Sequence, residues 1–198
     1  MKFLIISDLH ASIDDDSYSR LVFKGAESEF ARRFLNYVKG LEKNIDYLIC
    51  PGDIANKGCS ESFNIGWSFI NEVKEALGIK QLFCVPGNHD LQSRPKSSFS
   101  PDHAIKFCSP KFPTADYELN THFWGWNWVH IEQDEFNVFL INSSAYHGIN
   151  EEYHHGRFPR DSVKQLSDYI NEKVGDKCFN IMLCHHHPLK REDARIQP

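Results

Sequence analysis

Several features that assign a protein to a broad class are missing from this 198-residue sequence. The formal net charge is -5 at pH 7, so the chain lacks the basic character of most nucleic-acid-binding proteins. No apolar run is long enough to span a bilayer, and the apolar run at the N-terminus is too short for a signal peptide. None of the six cysteines forms a CxxC pair. We therefore expect reduced cysteines, a cytoplasmic location and no membrane partner.

Apolar patterns in the first half of the chain alternate between strand and helix. Nearly continuous apolar runs at 2–7, 45–50 and 80–85 are typical of strands that are covered on both faces. Apolar residues at helical spacing between these runs predict helices over 27–43 and 61–77. This β-α-β-α-β order predicts a parallel sheet whose strands are joined by crossover helices.

The second half of the chain has a different composition. Segment 122–142 is rich in aromatic residues and contains a polar EQDE break between two apolar runs, which predicts an antiparallel hairpin. A helix is predicted over 160–174 and a further buried strand over 179–184. With 41% hydrophobic residues the chain can bury a core, and we expect one α/β domain over 1–198 with mixed sheets and outer helices.

The aromatic residues of segment 122–142 allow two interpretations. Aromatic side chains at this density usually belong to a core or to the packing face of a sheet, which is the interpretation we favour. The alternative is a platform on which a nucleobase or another flat substrate group stacks. The residues concerned are Phe123, Trp124, Trp126 and Trp128.

Polar residues follow four of the predicted strands. They are Asp8 and His10 after the first strand, Asp53 after the second, Asn88, His89 and Asp90 after the third, and His185, His186 and His187 after the last. Ligands of open α/β sheets bind outside the carboxyl ends of the strands, so we expect these four clusters to share one site. Oxygen atoms from Asp and Asn with His nitrogens, and without Cys, suit Mn, Fe, Zn, Co or Ni.

Each cluster also has an explanation without function when it is taken alone. Pro51-Gly52-Asp53 has the composition of a turn, and three consecutive histidines are compatible with a surface tract. The acidic run Asp14-Asp15-Asp16 is expected to lie in a solvated loop. The position of every metal-ligand cluster directly after a predicted buried strand is what favours a shared site.

Four short motifs resemble those of a known family. SDLH, PGDIANKG, PGNHD and CHHHPL occur in this order, and together they resemble the first four motifs of the calcineurin-like metallophosphoesterases. The resemblance extends through NVFLINSSAYHG and HHGRFPRDSVKQL, so it spans nearly the whole chain. It implies a sandwich of mixed β-sheets flanked by helices. It also implies hydrolysis of a phosphomonoester or phosphodiester by a water that two divalent metal ions activate.

The resemblance implies a metal-binding role for five residues. Asp8 and His10 would hold the first ion, and Asp53 would bridge both ions. Asn88 and His186 would hold the second ion, with His186 chosen because the family's ligand normally lies two residues before the proline. The histidines on either side of His186 are the alternatives.

The resemblance implies two further roles in the PGNHD motif. His89 would act on the substrate, either as the general acid for the leaving oxygen or as a donor to the phosphoryl group. Asp90 would orient His89 through a hydrogen bond. We expect that Gly87 allows the backbone to turn tightly at the end of the strand.

One motif of the family is missing from the sequence. The fifth motif, Gly-His-x-His, does not occur, so one expected ligand of each ion is absent. We expect a further C-terminal region of the same polypeptide to supply these ligands, which would make the domain incomplete at its C-terminus. The alternative is that His147, His154, His155 or a residue of a partner protein replaces them.

Two other functions remain open. The first is a nuclease with the same metal site, although the acidic balance of the chain offers nucleic acid no basic surface. The second is a non-catalytic scaffold, which the missing fifth motif favours and the residues retained in the other four motifs oppose. A phosphate ester is therefore the expected substrate, and no motif in the loops identifies it further.

Overall fold

A computed structural model of the protein describes residues 1–14, 19–25, 27–41, 44–92, 100–147 and 155–187. Within these residues the helices are α1 (Glu29–Lys39), α2 (Ser60–Ala76), α3 (His103–Lys106), α4 (Tyr117–Trp126) and α5 (Arg160–Lys173). The strands are β1 (Phe3–Ile5), β2 (Tyr47–Cys50), β3 (Gln81–Cys84), β4 (Trp128–Glu132), β5 (Phe136–Ile141) and β6 (Phe179–Leu183). None of these helices combines the length and the apolar character needed to cross a membrane.

In the described part of the chain, two three-stranded sheets form the centre of the fold. The first has the order β1-β2-β3 and is parallel throughout, with Phe3 opposite Tyr47 and Tyr47 opposite Gln81. The second has the order β4-β5-β6, in which β4 and β5 form an antiparallel hairpin and β6 runs parallel to β5. The predicted parallel sheet with crossover helices and the predicted hairpin are both confirmed.

The two sheets pack face to face, and helices cover their outer faces. One face of the first sheet packs against the helices α1 and α2, through residues such as Leu48 and Ile70. Its other face, which includes Phe83, packs against the second sheet at Leu140. The outer face of the second sheet, which includes Trp128, packs against α5. The central strands are buried on both faces, which explains their continuous apolar sequences, and the expected sandwich of mixed sheets flanked by helices is confirmed.

The outermost strands are less buried than their sequences predict. β1 and β6 each lie at the edge of a sheet, where Ile5 is 62% exposed and Met182 is 58% exposed. The predicted strand over 179–184 is confirmed, whereas the prediction that this strand is buried is wrong. An edge position accounts for only part of this exposure, because β3 and β4 are also edge strands and their residues Phe83 and Trp128 are buried.

Helix α4 replaces the first part of the predicted hairpin. We predict strand structure from residue 122, but the chain is helical until Trp126 and the hairpin begins at Trp128. The side chain of Asp116 caps the helix by accepting a hydrogen bond from the amide of Leu119, and Asn127 ends it with a left-handed φ of 64°. The prediction of a strand before Trp128 is therefore wrong. It is based on hydropathy, which is the same for aromatic residues on a helix and on a strand and so does not distinguish the two.

The aromatic residues of this region are divided between the core and the surface. Phe123 is fully buried between the sheets, and Trp128 is 2% exposed. Trp124 is partly buried against the same core, and its indole N–H donates to the carbonyl of Phe112 at 3.0 Å. The core interpretation is therefore confirmed for these residues, while about half of Trp126 is exposed.

Candidate metal centre

The loops that follow β1 and β2 run side by side beyond the ends of the strands. The amide of Asp8 donates to the carbonyl of Gly52 at 3.2 Å, and the amide of His10 donates to the carbonyl of Asp53 at 2.9 Å. The third predicted cluster, Asn88–Asp90, forms a single 3₁₀ turn soon after β3. Because the strands are parallel, all three loops begin at the carboxyl ends of the strands, on the same side of the first sheet.

Three of the predicted site residues have strained backbone conformations. Asp8, His10 and Asp53 have φ angles of 55°, 45° and 52°, in the left-handed region that residues other than glycine rarely occupy. Such a conformation costs about 1–3 kcal/mol at each residue and persists only where the surrounding structure imposes it. Strained residues of this kind cluster at functional sites, which agrees with the predicted location of the site.

The carboxylate of Asp53 lies at the centre of the site. Asp53 is 4% exposed, and its Oδ1 accepts a hydrogen bond from the amide of His89 at 2.8 Å. His10 Nε2 lies 3.8 Å from Asp53 Oδ2, and the His10 and His89 rings meet edge to face with centroids 4.6 Å apart. Within the described part of the chain, Asp53, His10 and His89 bring their ligand atoms within 4.8 Å of one another, and we call these three residues the Asp53 cluster.

His185 reaches the Asp53 cluster from the second sheet. Its Nδ1 lies 2.9 Å from the carbonyl oxygen of Pro51, and because a carbonyl can only accept, Nδ1 carries a hydrogen. In the neutral ring the lone pair is then on Nε2, which lies 3.2 Å from Asn88 Oδ1 and 3.5 Å from Asp53 Oδ1. Three acceptor atoms therefore face one another, and oxygen and imidazole donors in this arrangement suit a divalent cation.

His186 turns away from Asp53 towards the turn that follows β5. Its Nδ1 lies 2.9 Å from the hydroxyl oxygen of Ser143, and its ring centroid lies 5.2 Å from that of His147. Burial, together with the neighbouring histidines, lowers the pKa of His186 to about 4. The structure therefore brings His185, and not His186, to the Asp53 cluster, one residue away from the predicted position.

Strand alternation explains why His185 is the histidine at the site. Leu183 packs in the core between the two sheets, whereas Cys184 packs on the outer side of the second sheet. Continuing this alternation beyond β6 puts His185 on the inner side and His186 on the outer side. The sequence FNIMLCHHH already contains this alternation. The prediction of His186 does not use it, because that prediction is based on the distance from the proline.

Asp8 lies at the margin of the site. Its side chain is exposed, and its Oδ2 accepts a hydrogen bond from the hydroxyl of Ser7. Its backbone belongs to the same strained loop as His10. The structure thus places Asp8 near the other predicted ligands without including its carboxylate in the Asp53 cluster.

Asp90 links the loops that follow β2 and β3. It is 2% exposed, and its Oδ1 accepts from the amide of Ala55 at 2.7 Å while its Oδ2 accepts from the amide of Gly87 at 2.8 Å. Burial and the nearby charge of Asp53 raise the pKa of Asp90 to about 8. These contacts hold the backbone that carries His89, which differs from the predicted role of orienting the His89 ring.

Gly87 is required by a close approach rather than by its own conformation. Its φ is -96°, which other residues also adopt, so the predicted tight turn is not the reason for a glycine. A Cβ atom at Gly87 would lie 2.8 Å from Asp53 Cγ and would overlap Asp53 Oδ1. A Cβ atom at Gly52 would in turn lie 2.8 Å from Gly87 Cα. The two glycines let the loops approach closely enough to enclose the Asp53 carboxylate.

Two comparisons relate the chain to known proteins. A family model described as calcineurin-like phosphoesterase matches residues 1–196. The uncharacterized metallophosphoesterase-like protein YydB of Bacillus subtilis (strain 168) is 27% identical over 187 residues. The aligned region covers 92% of this chain and 34% of that protein, so the chain spans about a third of the length of this relative.

Proposed function

The chain belongs to the calcineurin-like phosphoesterase family, and from this premise we propose that it contributes the metal site of a metal-dependent phosphoesterase. The proposed reaction is the hydrolysis of a phosphomonoester or a phosphodiester. The observation that carries the proposal is the convergence of acceptor atoms on Asp53 from separate loops. The residues that converge are His10 after β1, Asn88 after β3 and His185 after β6. His10 and His185 each turn a ring nitrogen towards the Asp53 carboxylate, and Asn88 turns its Oδ1 towards the same nitrogen of His185.

Two divalent ions, drawn from Mn, Fe, Zn, Co and Ni, are proposed to bind on the two sides of Asp53. The carboxylate supports this arrangement because its oxygens face different partners: Oδ2 faces His10 at 3.8 Å, and Oδ1 faces His185 at 3.5 Å. Asp8 is the further donor proposed on the first side, and Asn88 is the further donor proposed on the second. When bound, the ions would supply an acidified water and positive charge against the phosphoryl oxygens.

His89 is proposed to donate the proton that the leaving group requires. Its position is fixed twice, by the bond from its amide to Asp53 and by the contact of its ring with the His10 ring. The residue is only partly buried, and it lies beside the Asp53 carboxylate, where the substrate is proposed to bind. An alkoxide leaving group needs one proton, which a protonated His89 would supply. Asp90 contributes by holding the loop that carries His89.

The ligands expected from the fifth motif are proposed to come from a further C-terminal region of the polypeptide. His147 contacts His186 and is not part of the Asp53 cluster, so its position does not support the alternative that it replaces a missing ligand. His155 is exposed, and His154 lies outside the described residues.

A cytoplasmic location is proposed from the cysteine pattern.

Hydrolysis of p-nitrophenyl phosphate and bis-p-nitrophenyl phosphate by the full-length protein tests this proposal. We expect hydrolysis that requires added Mn and that EDTA abolishes, and the ratio of the two rates separates a monoesterase from a diesterase. Faster cleavage of single-stranded DNA or RNA would favour a nuclease, and metal binding without any hydrolysis would favour a scaffold. Activity that survives EDTA or the Asp53→Ala substitution would refute a metal-dependent reaction at this site.

A further inference from the structure

The turn after β5 holds the loop that carries the three histidines. Ser143 is 7% exposed, and its Oγ lies 3.1 Å from the amide nitrogen of His186 and 2.9 Å from His186 Nδ1. An amide can only donate, so Oγ accepts that bond and its own hydrogen remains available for Nδ1. One hydroxyl group therefore fixes both the backbone and the ring of His186.

His186 is also held by its other neighbours. Its carbonyl oxygen accepts a hydrogen bond from the thiol of Cys184 at 3.2 Å. Gly156 packs directly on the side chain, because a Cβ atom at Gly156 would lie 2.5 Å from His186 Cγ. The His147 ring lies beside the His186 ring. His186 is therefore a fixed point of the loop, although its ring does not belong to the Asp53 cluster.

We propose that Ser143, acting through His186, is a positioning residue for His185. His185 directly precedes His186, so the direction of its ring depends on where the His186 backbone is held. The bond between His185 Nδ1 and the carbonyl of Pro51 fixes the ring, and the bonds from Ser143 fix the adjoining backbone. This inference rests on the proposed function, in which His185 is a metal ligand.

The Ser143→Ala substitution removes the hydroxyl and nearly keeps the size of the buried side chain. We expect the affinity of the metal-free, full-length protein for Mn, measured by calorimetry without substrate, to fall about tenfold, because groups that support a metal ligand have effects of this size. At saturating Mn, kcat should stay close to the parental value, since His185 can still bind the ion.

Ser144→Ala is the matched control for this substitution. Ser144 lies in the same turn and is 1% exposed, but its hydroxyl contacts the carbonyl of Pro86 at 3.4 Å instead of the histidine loop. We expect this control to bind Mn like the parent. Ser143→Thr keeps the hydroxyl and should also retain the parental affinity.

A double-mutant cycle tests whether Ser143 acts through His186. His186→Ala removes the ring that Ser143 contacts but keeps the backbone amide that Ser143 also binds. If Ser143 acts through His186, Ser143→Ala should therefore have a smaller effect on Mn affinity in a His186→Ala background than in the parent. If Ser143→Ala does not fold, His186→Ala should still weaken Mn binding while Ser143→Thr should not.

Three results would overturn the inference. They are parental Mn affinity in Ser143→Ala, an equal loss in the Ser144→Ala control, and additive effects of Ser143→Ala and His186→Ala in the cycle. Failure of the parent itself to bind Mn is a different outcome, because it would contradict the proposed function on which the inference rests.

Discussion

Gly87→Ala is expected to damage both the stability of the fold and the metal site through one added methyl group. The new Cβ atom would lie 2.8 Å from Asp53 Cγ and would overlap Oδ1 and the amide nitrogen of Asp53. Because carbon atoms in contact are separated by about 3.5–4 Å, the loops after β2 and β3 would have to move apart by roughly 1 Å. That movement stretches the hydrogen bonds between the loops, from His89 to Asp53 at 2.8 Å and from Ala55 to Asp90 at 2.7 Å.

We expect Gly87→Ala to lower the free energy of unfolding by about 3 kcal/mol, at the upper end for an overpacked site, because backbone would have to move. Metal–ligand distances tolerate deviations of only about 0.2 Å, so a displaced Asp53 cannot bind an ion well. The affinity for Mn should fall by about tenfold or more, as it does when the support of a ligand is lost. Urea unfolding of the metal-free protein measures the first effect, and calorimetry measures the second.

Gly125→Ala is the matched control, because a Cβ atom at Gly125 in α4 would meet no neighbouring heavy atom within 4 Å. We expect it to leave Mn affinity unchanged and to raise the free energy of unfolding by about 0.5 kcal/mol, since alanine favours a helix more than glycine does. Parental stability together with parental Mn affinity in Gly87→Ala would refute the close approach as the reason for a glycine at this position.

Four further predictions separate the roles of the residues at the site. His89→Ala should keep its metal and slow hydrolysis by about 10²–10⁴-fold, with a smaller loss for a nitrophenolate leaving group than for an alkoxide. Asn88→Ala should instead weaken Mn binding, so excess Mn should partly restore its rate; identical behaviour of the two variants would contradict this division. His185→Ala should weaken Mn binding in calorimetry, whereas the same change at the exposed His187 should not, and the reverse ranking would move the ligand role. Asp90→Asn should lower the free energy of unfolding by about 1–3 kcal/mol, because its NH₂ group would face a backbone donor, and unchanged urea unfolding would argue against the link between the loops.

The parallel half of the fold can be predicted from the sequence because its strands and helices have distinct apolar periods. Helix α4 could not be predicted in the same way, because its aromatic residues have the hydropathy of a buried strand. The information that defines α4 lies in its two ends, where Asp116 caps the first turn and Asn127 adopts a left-handed conformation. The exposure of β6 depends on which faces of the strand other elements cover, and the hydropathy of one segment does not contain this information.

The location of the site can be predicted, whereas most of its contacts cannot. The clusters that follow β1, β2 and β3 converge because the carboxyl ends of parallel strands lie on the same side of the sheet. The sequence also predicts that His185 faces the site and that His186 does not, because side chains alternate between the two faces of a single strand. The contacts of Ser143 and Asp90 join residues that are 43 and 35 positions apart, and no local pattern in the sequence contains them.

The most direct test of the metal centre is the number of divalent ions that the metal-free, full-length protein binds, compared with the Asp53→Asn variant. Asparagine keeps the size of the side chain and removes the charge that two ions would share. Calorimetric titration with Mn, with bound metal counted by elemental analysis, should give two ions for the parent and an affinity weakened by about 100-fold in the variant. A parent that binds no Mn, or an Asp53→Asn protein with parental affinity, would contradict a metal centre built on Asp53.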